Sequence, residues 1–452
     1  MELGFETTGS PTLICYDSEP ILVTDPWLWG PAFFGSWTLS HRIPEEQMTA
    51  IKASRFVWIS HGHPDHLSLD SLLSLQDKQI LVSDHVGARI YEFLVEAGFS
   101  ATILPDRRWV ELSDRIRVQS LAHYNQDSIL LIDIDGTLLI NMNDTPSTVW
   151  GSYIRRVARH YEKVVLLRLS GRPDGDMNNF FDESGRPIRP PDEKRVPNGT
   201  VLSGQMKALG ANVATPFSSM HHYQRTDSVW ANALVPDLAE YGVGFDERVG
   251  EVLPAFISYD VLHGRVAELN PEANPREAVD PKMFGDDWGE SLSKEEERLV
   301  HSYFERRPLL GKRLDFLRLV VGGEEHVIRW STSDRSGVTF EVPRASLLTA
   351  VTYEIFDDLF LGNFMKTTLH GRLRSAGLSP AVNPYLGKWA DNGRARSQSE
   401  VADYLKQYSR QAPLANLLGR VDGRAKYAIR AHVTRESAAY DFLRRIRRRI
   451  PA

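Results

Sequence analysis

Short apolar segments alternate with amphipathic segments along the first 265 residues of the chain. Apolar runs bounded by turn residues predict strands, and apolar positions recurring every three or four residues predict helices. The predicted strands are 12–16, 21–24, 56–60, 80–83, 116–122, 128–132, 137–141 and 164–169. The predicted helices are 45–54, 69–75, 86–98, 146–161 and 201–210. Strands follow one another near both ends of this region, so the pattern favours stacked sheets flanked by helices over a simple doubly wound sheet.

The pattern changes twice along the chain. Residues 170–199 are rich in Gly, Pro, Asp, Asn and Arg without periodicity, which is typical of an inserted loop near a functional site. Residues 269–289 contain prolines and acids and are predicted to be a linker. We therefore divide the chain into a catalytic domain (1–268), this linker, and a C-terminal α+β segment (290–452). A capping box from Ser293 to Glu296 is predicted to open a helix in that last segment.

Composition narrows the class of protein. The chain has 53 Lys+Arg and 59 Asp+Glu, a formal charge of −6 that argues against nucleic acid as its main partner. The single cysteine, Cys15, excludes an internal disulfide and any metal site that needs several cysteines. No apolar stretch reaches the ~20 residues of a membrane-spanning helix, and the first residues lack a signal-peptide pattern. A cytoplasmic location without an integral membrane segment is therefore expected.

Candidate metal ligands are concentrated just after the predicted strand 56–60. The sequence there reads His61-Gly-His63-Pro-Asp65-His66 and precedes a predicted helix. His61 and His63, two residues apart, are expected to project to one side, while Asp65 and His66 can turn toward a second point. Imidazole and carboxylate ligands suit zinc, iron or manganese. The spacing therefore predicts a site for two metal ions, roughly 3.5–4 Å apart, with a bridging hydroxide.

This His-x-His-x-Asp-His sequence resembles the signature of the metallo-β-lactamase fold superfamily, whose members are αββα sandwiches. The other positions of that family can be matched in order along the chain. Asp25 closes an early strand, His123 ends a later strand, and Asp144 follows a predicted hairpin. His221 matches the last histidine of the family pattern, with His222 as the alternative. The resemblance implies an α/β fold of this αββα type, with a C-terminal α+β appendage.

The resemblance also implies a division of roles within the site. One metal would be held by His61, His63 and His123, and the other by Asp65, His66 and His221. Asp144 would bridge the two metals. Asp65 and Asp25 are the predicted catalytic carboxylates, with Asp25 orienting a ligating histidine. The implied cofactors are two divalent metal ions, either zinc or iron.

A narrower resemblance rests on two other segments. Asp25-Pro-Trp-Leu-x-Gly-Pro-Ala-Phe, with Trp37 downstream, and Gly362-Asn363-Phe364-Met365 are similar to the CMP-N-acetylneuraminate hydroxylase-like branch of the superfamily. Animal hydroxylases of that branch carry a Rieske iron–sulfur domain, which needs two cysteines, whereas this chain has one. The departure implies that any oxygenase activity would need an external reductase.

Three functions follow from these observations. The first is a hydrolase, in which a hydroxide generated at the metals attacks an ester, phosphodiester or amide-type bond of an anionic small molecule. The alternative is a di-iron monooxygenase that activates O₂ with an external electron donor. The third is a binding protein that has kept the fold and lost activity, which the complete set of motif residues argues against. A homodimer is a further expectation.

Two other features have a structural and a functional interpretation. Asp133-Ile-Asp135-Gly136 resembles the aspartyl-nucleophile motif of haloacid-dehalogenase-type phosphatases, but it also predicts a β-hairpin turning at Asp135-Gly136. The hairpin is favoured because the metallo-β-lactamase fold implies one between His123 and Asp144. The aromatic residues between Trp27 and Trp37 either close one end of the sandwich or form a wall beside the metals.

Overall fold

The computed structural model describes residues 1–147, 149–168, 179–188, 196–218, 220–376, 378 and 382–411. Most of the predicted inserted loop, 170–178 and 189–195, therefore lies outside the described residues. The same holds for 412–452, the last part of the predicted C-terminal segment. Among the described residues, no helix has both the length and the apolar character needed to cross a bilayer.

Strands make up most of the regular structure. In chain order they are β1 (Leu3–Thr7), β2 (Leu13–Asp17), β3 (Glu19–Thr24), β4 (Trp37–Leu39), β5 (Phe56–Ile59), β6 (Gln79–Ser83), β7 (Ser100–Leu104), β8 (Val110–Glu111), β9 (Ile116–Ala122), β10 (Ser128–Ile134), β11 (Thr137–Asn143), β12 (Lys163–Arg168), β13 (Phe180–Phe181), β14 (Val213–Pro216), β15 (His221–Tyr223), β16 (Glu251–Val252), β17 (Ile257–Asp260), β18 (Arg265–Glu268), β19 (Phe316–Val321), β20 (Glu324–Arg329), β21 (Ser336–Glu341) and β22 (Lys366–Gly371).

Helices lie between these strands and, toward the end of the chain, follow them. They are α1 (Glu45–Ala53), α2 (Leu69–Leu73), α3 (Arg89–Glu96), α4 (Gly151–Ala158), α5 (Asn198–Leu209), α6 (Lys294–Glu305), α7 (Arg344–Tyr353), α8 (Asp357–Leu361), α9 (Leu373–Ala376) and α10 (Gln398–Gln411). A π-helix covers Pro384–Asn392, and short 3₁₀ turns cover Val229–Leu234, Leu238–Gly242, Pro281–Phe284 and Leu310–Lys312.

Two large sheets form the first part of the molecule. The first has the strand order β18-β17-β1-β2-β3-β5-β6-β7, and the second has the order β16-β14-β12-β11-β10-β9-β8. Apolar side chains from both sheets, such as Leu22 and Leu130, meet in a shared core between them. Helices α1, α2 and α3 pack on the outer face of the first sheet, and α4 and α5 on that of the second. These four layers confirm the αββα architecture predicted from the sequence.

The hairpin between β10 and β11 forms as predicted. Ile134 pairs with Thr137, and Asp135 and Gly136 occupy the turn with φ values of 44° and 87°. Both residues thus adopt the left-handed conformation that a two-residue hairpin turn requires. Asp133 accepts hydrogen bonds from Arg117 Nε and from the backbone N–H of Gly136, which gives this carboxylate a structural role.

The C-terminal part is built around a third sheet of the order β13-β22-β21-β19-β20. Its apolar face packs against α6, α7 and α8, in agreement with the predicted α+β composition. The capping box at Ser293 is present and begins α6 at Lys294. The predicted loop 170–199 is not wholly irregular, because β13 joins the third sheet by parallel pairing with β22. Pairing of this kind depends on a distant segment and leaves no periodic pattern in a two-residue strand.

Polar contacts connect the C-terminal part to the catalytic domain. The fully buried guanidinium of Arg225 forms an ion pair at 2.6 Å with Asp286 of the predicted linker, and Asp286 also accepts a hydrogen bond at 2.9 Å from the Ser346 N–H of α7. Tyr408 of α10 donates or accepts a hydrogen bond at 3.1 Å with Nδ1 of His85. The ion pair between His63 and Asp357, at 3.6 Å, places the start of α8 against the edge of the sandwich where the candidate ligands lie.

Candidate metal centre

The candidate ligands lie at the ends of strands that belong to both large sheets. Asp25 follows β3 and the His61–His66 sequence follows β5, both in the first sheet. His123 follows β9 and Asp144 follows β11, both in the second sheet. Because these strand ends meet at one edge of the sandwich, side chains distant in sequence converge there, as in other α/β enzymes.

Local backbone conformation aims these side chains. The N–H groups of His66 and Leu67 both bond to the carbonyl of His63, which closes the chain into a tight turn after β5. Asp25, Asn143 and Ser218, each beside a strand end, have positive φ values of 40°, 46° and 69°. Non-glycine residues in this region cost of order 1–3 kcal/mol and concentrate at functional sites.

A first cluster of donor atoms is formed by His61, His63 and Asp144. His61 Nε2 lies 2.8 Å from His63 Nδ1 and 3.9 Å from Asp144 Oδ2. These three residues bring one ligand atom each to within 4.8 Å of one another. Such a set of two imidazole nitrogens and one carboxylate oxygen is typical of a zinc or iron site.

A second cluster adjoins the first and shares Asp144 with it. His66 Nε2 lies 3.3 Å from Asp65 Oδ2 and 3.5 Å from Asp144 Oδ2. The carboxylate oxygen of Asp144 therefore faces both His61 and His66. This placement is the one expected for a bridging carboxylate between two metal ions.

The donor atoms fit metal ions on two independent grounds. Ligands bound tetrahedrally at about 2.0–2.1 Å lie about 3.3 Å apart, which is close to the distances of His61 from His63 and of His66 from Asp65 and Asp144. Within the described part of the chain, Asp65 Oδ1, His66 Nε2 and His123 Nε2 are buried and have no hydrogen-bond partner. Buried polar atoms normally have a partner, so the unpartnered atoms of the adjoining Asp65 and His66 indicate a ligand there. Among the described residues, neither His123 nor His221 belongs to a group of three donor atoms that lie within 4.8 Å of one another.

Asp25 lies behind the second cluster and orients His66. Its carboxylate is fully buried and accepts hydrogen bonds from the Ser60 N–H at 2.7 Å and from Asn143 Nδ2 at 2.8 Å. His66 Nδ1 lies 3.0 Å from the same carboxylate, which leaves Nε2 facing Asp65 and Asp144. Burial raises the pKa of Asp25, an effect that the charge of His66 opposes. Asp25 therefore contacts His66, a candidate ligand, on the side of the ring away from Asp65 and Asp144.

His61 and His66 differ in their electrostatic surroundings. Burial and the nearby charges of His66 and His63 hold the pKa of His61 well below its ordinary value. Burial also acts to lower the pKa of His66, but the carboxylates of Asp65 and Asp25 outweigh it and raise that pKa well above its ordinary value. The neutral imidazole of His61 is the form that binds metal, whereas metal binding at His66 must displace a proton.

His123 is buried at the end of β9. Its Nδ1 contacts the Oδ1 atom of Asn125, whose amide nitrogen in turn contacts Asp127. Burial lowers the pKa of His123 to about 3, although the contact with Asn125 acts in the opposite direction. The neutral ring keeps Nε2 available as a ligand atom.

His221 and His222 occupy opposite faces of β15, which pairs with β4. His221 is buried and stacks on Trp37 with ring centroids 3.5 Å apart. His222 is half-buried, and burial together with the charge of Arg276 lowers its pKa to about 4. The structure therefore places the two predicted alternatives in different surroundings.

The aromatic segment links His221 to the first cluster. Trp37 lies 4.4 Å from Phe33 between ring centroids, and Phe33 lies 6.0 Å from the ring of His63. Trp27, Phe33 and Trp37 are buried in one cluster with Tyr223 and Leu361, as the packing interpretation predicts, and the contact of Phe33 with His63 places this cluster beside the candidate ligands. This chain of ring contacts also places His221 on the same side of the molecule as His63.

The C-terminal part adds residues that sequence reasoning missed. Asp357 and Asp358, at the start of α8, bring carboxylate oxygens to within 4.8 Å of a ring nitrogen of His63. Burial lowers the pKa of His63, but the contact with Asp357 outweighs burial and raises that pKa to about 9. Lys388, in the π-helix, acts electrostatically on both His61 and His123. The signal available in the sequence was an acidic pair at the start of an otherwise apolar segment. In the structure Asp358 is only 5% exposed.

Comparison with known proteins gives partial matches. No family model matches the sequence. A cytidine monophosphate-N-acetylneuraminic acid hydroxylase from Danio rerio is 31% identical over 135 residues, covering 28% of this chain and 23% of that protein. The enzyme of the same name from Sus scrofa is 28% identical over 146 residues, covering 30% of this chain and 34% of that protein. The chain thus matches about a third or less of the length of these relatives.

Several solved structures resemble the chain at low identity. A metallo hydrolase from Ignicoccus hospitalis has a TM-score of 0.38 and 14% identity, covering 59% of this chain and 99% of its own. A diiron β-hydroxylase from Streptomyces venezuelae has a TM-score of 0.37 and 14% identity, covering 59% of this chain and 54% of its own. These scores are too low to support an argument about the reaction.

The layers, the strand order and the ligand clusters agree with the fold that the motif implies. Two sheets enclosed by helices carry His61, His63, Asp65 and His66 on the turn after β5, and Asp144 lies between the two clusters. The chain therefore has the metallo-β-lactamase fold, with a distant similarity to cytidine monophosphate-N-acetylneuraminic acid hydroxylases over 28% of its length.

Proposed function

We propose that the protein is a metal-dependent hydrolase that acts on an anionic small molecule. The observation that carries the proposal is the position of Asp144, whose Oδ2 atom faces His61 at 3.9 Å and His66 at 3.5 Å. Two adjoining clusters with a shared carboxylate are suited to two divalent ions. When bound, such ions supply Lewis acidity and lower the pKa of a coordinated water.

Each side chain of the site has a defined task in this proposal. His61, His63 and His123 hold one ion, while Asp65, His66 and His221 hold the other. Asp65 Oδ1 has no hydrogen-bond partner among the described residues and can accept a proton from the attacking water. Asp25 keeps His66 oriented through the contact with Nδ1.

The positive charge of Lys388 is the reason for proposing an anionic substrate. Within the described part of the chain Lys388 forms no ion pair, and its charge acts on His61, His123, Asp127 and Asp357. An ammonium group beside a metal cluster can bind a carboxylate or phosphate and orient the bond to be cleaved.

The test combines metal analysis with assays in the absence of O₂. The protein is purified without added metal, its metals are quantified, and anionic phosphodiesters, lactones and amides are tested anaerobically. We expect turnover that is lost with a chelator and restored by zinc or manganese. Two irons per chain with turnover that requires O₂ would overturn the hydrolase proposal.

Substitution of Lys388 should separate substrate binding from chemistry. For an anionic substrate, Lys388→Ala is expected to raise KM about tenfold, equivalent to about 1.4 kcal/mol, with little change in kcat. Lys388→Arg should retain most of the affinity because it keeps the charge. Steady-state kinetics on an anionic substrate and its neutral ester provide the measurement.

Lys406→Ala serves as the matched control, because Lys406 is exposed on α10. An equal rise in KM in both lysine variants, or an equal effect of Lys388→Ala on the neutral ester, would contradict a direct contact between Lys388 and the anion.

A second candidate function is hydroxylation with O₂. The observation that favours it is the similarity to hydroxylases, which reaches 31% identity over 135 residues. The same histidine and carboxylate ligands can hold two irons. With one cysteine in its sequence, the chain would need an external reductase for electrons. Consumption of O₂ by the iron-loaded protein with a chemical reductant distinguishes this function from hydrolysis.

A further inference from the structure

The two ring nitrogens of His63 face different groups. Nδ1 lies 2.8 Å from His61 Nε2, inside the first donor cluster. Nε2 lies 3.6 Å from Asp357 Oδ2, on the side of the C-terminal part. One edge of the ring is therefore directed at the expected metal, and the other at a carboxylate supplied by a distant segment.

We propose that Asp357 is a positioning residue that fixes the tautomer and orientation of His63. Its carboxylate accepts a hydrogen bond from Nε2–H, which leaves Nδ1 unprotonated and directed at the metal. The inference rests on the proposed metal site and extends it by making the C-terminal part a functional component. Ligating histidines commonly donate their second nitrogen to a carboxylate in this way.

In this structure the two groups face each other but are not yet at hydrogen-bond distance. The separation of 3.6 Å exceeds a normal hydrogen bond, so the contact in this form is ionic. The proposal requires the contact to shorten to hydrogen-bond length when Nδ1 is engaged. Asp25 makes the equivalent contact with His66 at 3.0 Å, so each donor cluster has one histidine backed by a carboxylate.

Asp357 is packed closely enough by its neighbours to hold its carboxylate in place beside His63. A Cβ atom on Gly387 would lie 2.8 Å from Asp357 Cγ, so the π-helix packs directly against this carboxylate. The preceding residue, Phe356, donates its N–H to Asp391, which also accepts a hydrogen bond from Tyr303 at 2.7 Å. Side chains that position a metal ligand need this kind of packed support.

A direct ligand role for Asp357 is the competing interpretation. His63, Asp357 and Asp358 could themselves form a metal-binding group. In that arrangement Nε2 of His63 would bind metal, and the contact of Nδ1 with His61 would have no function. The two interpretations differ in the number of metals bound after substitution, which gives the experiment its discriminating readout.

The experiment measures metal binding by the full-length protein. Zinc affinity is determined by competition with a chromophoric chelator for the wild type and for Asp357→Asn. We expect a loss of about 10–100-fold in affinity for one ion, with two ions still bound at saturation. In the cobalt-loaded protein, the exchangeable Nε2–H resonance of His63 should shift and exchange faster with solvent.

Two further variants make the result interpretable. Asp358→Asn removes a neighbouring carboxyl group and should leave zinc affinity within about threefold of wild type. Gly387→Ala changes no charge but displaces Asp357, and it should weaken zinc binding in the same direction as Asp357→Asn. Unfolding curves of the metal-free proteins establish that each variant is folded.

The outcomes separate failure of the inference from failure of the metal site. Unchanged zinc affinity and an unchanged His63 resonance in Asp357→Asn would overturn the inference while leaving the metal site intact. Loss of one bound ion would overturn it in favour of a direct ligand. A wild-type protein that binds no zinc, manganese or iron would refute the proposed metal site and, with it, the inference.

Discussion

Replacing Asp144 by alanine is expected to remove at least one metal ion and to lower turnover by at least ~10³-fold, equivalent to about 4 kcal/mol of transition-state stabilisation. The reason is that one oxygen of Asp144 faces donor atoms of both clusters, His61 Nε2 and His66 Nε2. Removing it leaves each cluster without its shared ligand. Metal content and turnover are measured on the same preparation, so that the two losses can be compared.

Ser218→Ala provides the matched control for this substitution. The Ser218 hydroxyl donates a hydrogen bond at 3.0 Å to Oδ1 of Asp144, the oxygen that does not face the histidines. Its removal should keep both metals and reduce turnover far less than Asp144→Ala. If Asp144→Ala retained two metals and most of its turnover, the bridging assignment would be wrong.

Replacing His63 should also lower metal content and turnover, in this case through loss of a ligand from one cluster. His63→Ala removes a donor atom from the first cluster only, so activity and metal content are expected to fall together, with one ion retained in the second cluster. A variant that binds two ions and turns over normally would contradict the assignment of His63.

Sequence patterns predicted the long apolar strands of the two large sheets better than the short strands and the edge strands. Strands such as β10 and β11 were found because their apolar runs are long, and every residue of both strands is buried. Strand β1 was missed because it is short and contains Gly4 and Glu6, which interrupt its apolar positions. Strand β7, at the edge of the first sheet, was missed because Ser100, Ala101 and Thr102 make up most of it and leave only two large apolar residues.

The same distinction applies to the candidate site: the residues on one segment were predicted, and the residue brought there by tertiary packing was not. His61, His63, Asp65 and His66 were identified because six consecutive positions carry them on one turn. Asp357 could not be assigned from the sequence, because its proximity to His63 arises only when α8 packs against the sandwich. Contacts between segments almost 300 residues apart are set by tertiary packing, which local patterns do not encode.

Replacing Asp25 by alanine is expected to lower the free energy of unfolding by about 3 kcal/mol and to weaken binding of one metal about 10–100-fold. The carboxylate is fully buried and faces three donors, on Ser60, Asn143 and His66. Each buried donor left without an acceptor costs about 1–3 kcal/mol. Loss of the contact with His66 frees its ring to rotate away from Asp65 and Asp144. Urea unfolding and zinc competition measure the two effects.

The backbone of Asp25 allows its side-chain contribution to be isolated. Its φ of 40° disfavours alanine more than aspartate, whereas glycine adopts this conformation freely. Asp25→Gly should therefore be more stable than Asp25→Ala by up to about 1 kcal/mol while showing the same loss of zinc affinity. Asn143→Ala, which removes one donor and leaves the contact between Asp25 and His66, should bind zinc nearly as well as wild type. Equal zinc affinity in Asp25→Gly and wild type would show that His66 is held by its own packing, and that Asp25 serves only to satisfy buried donors.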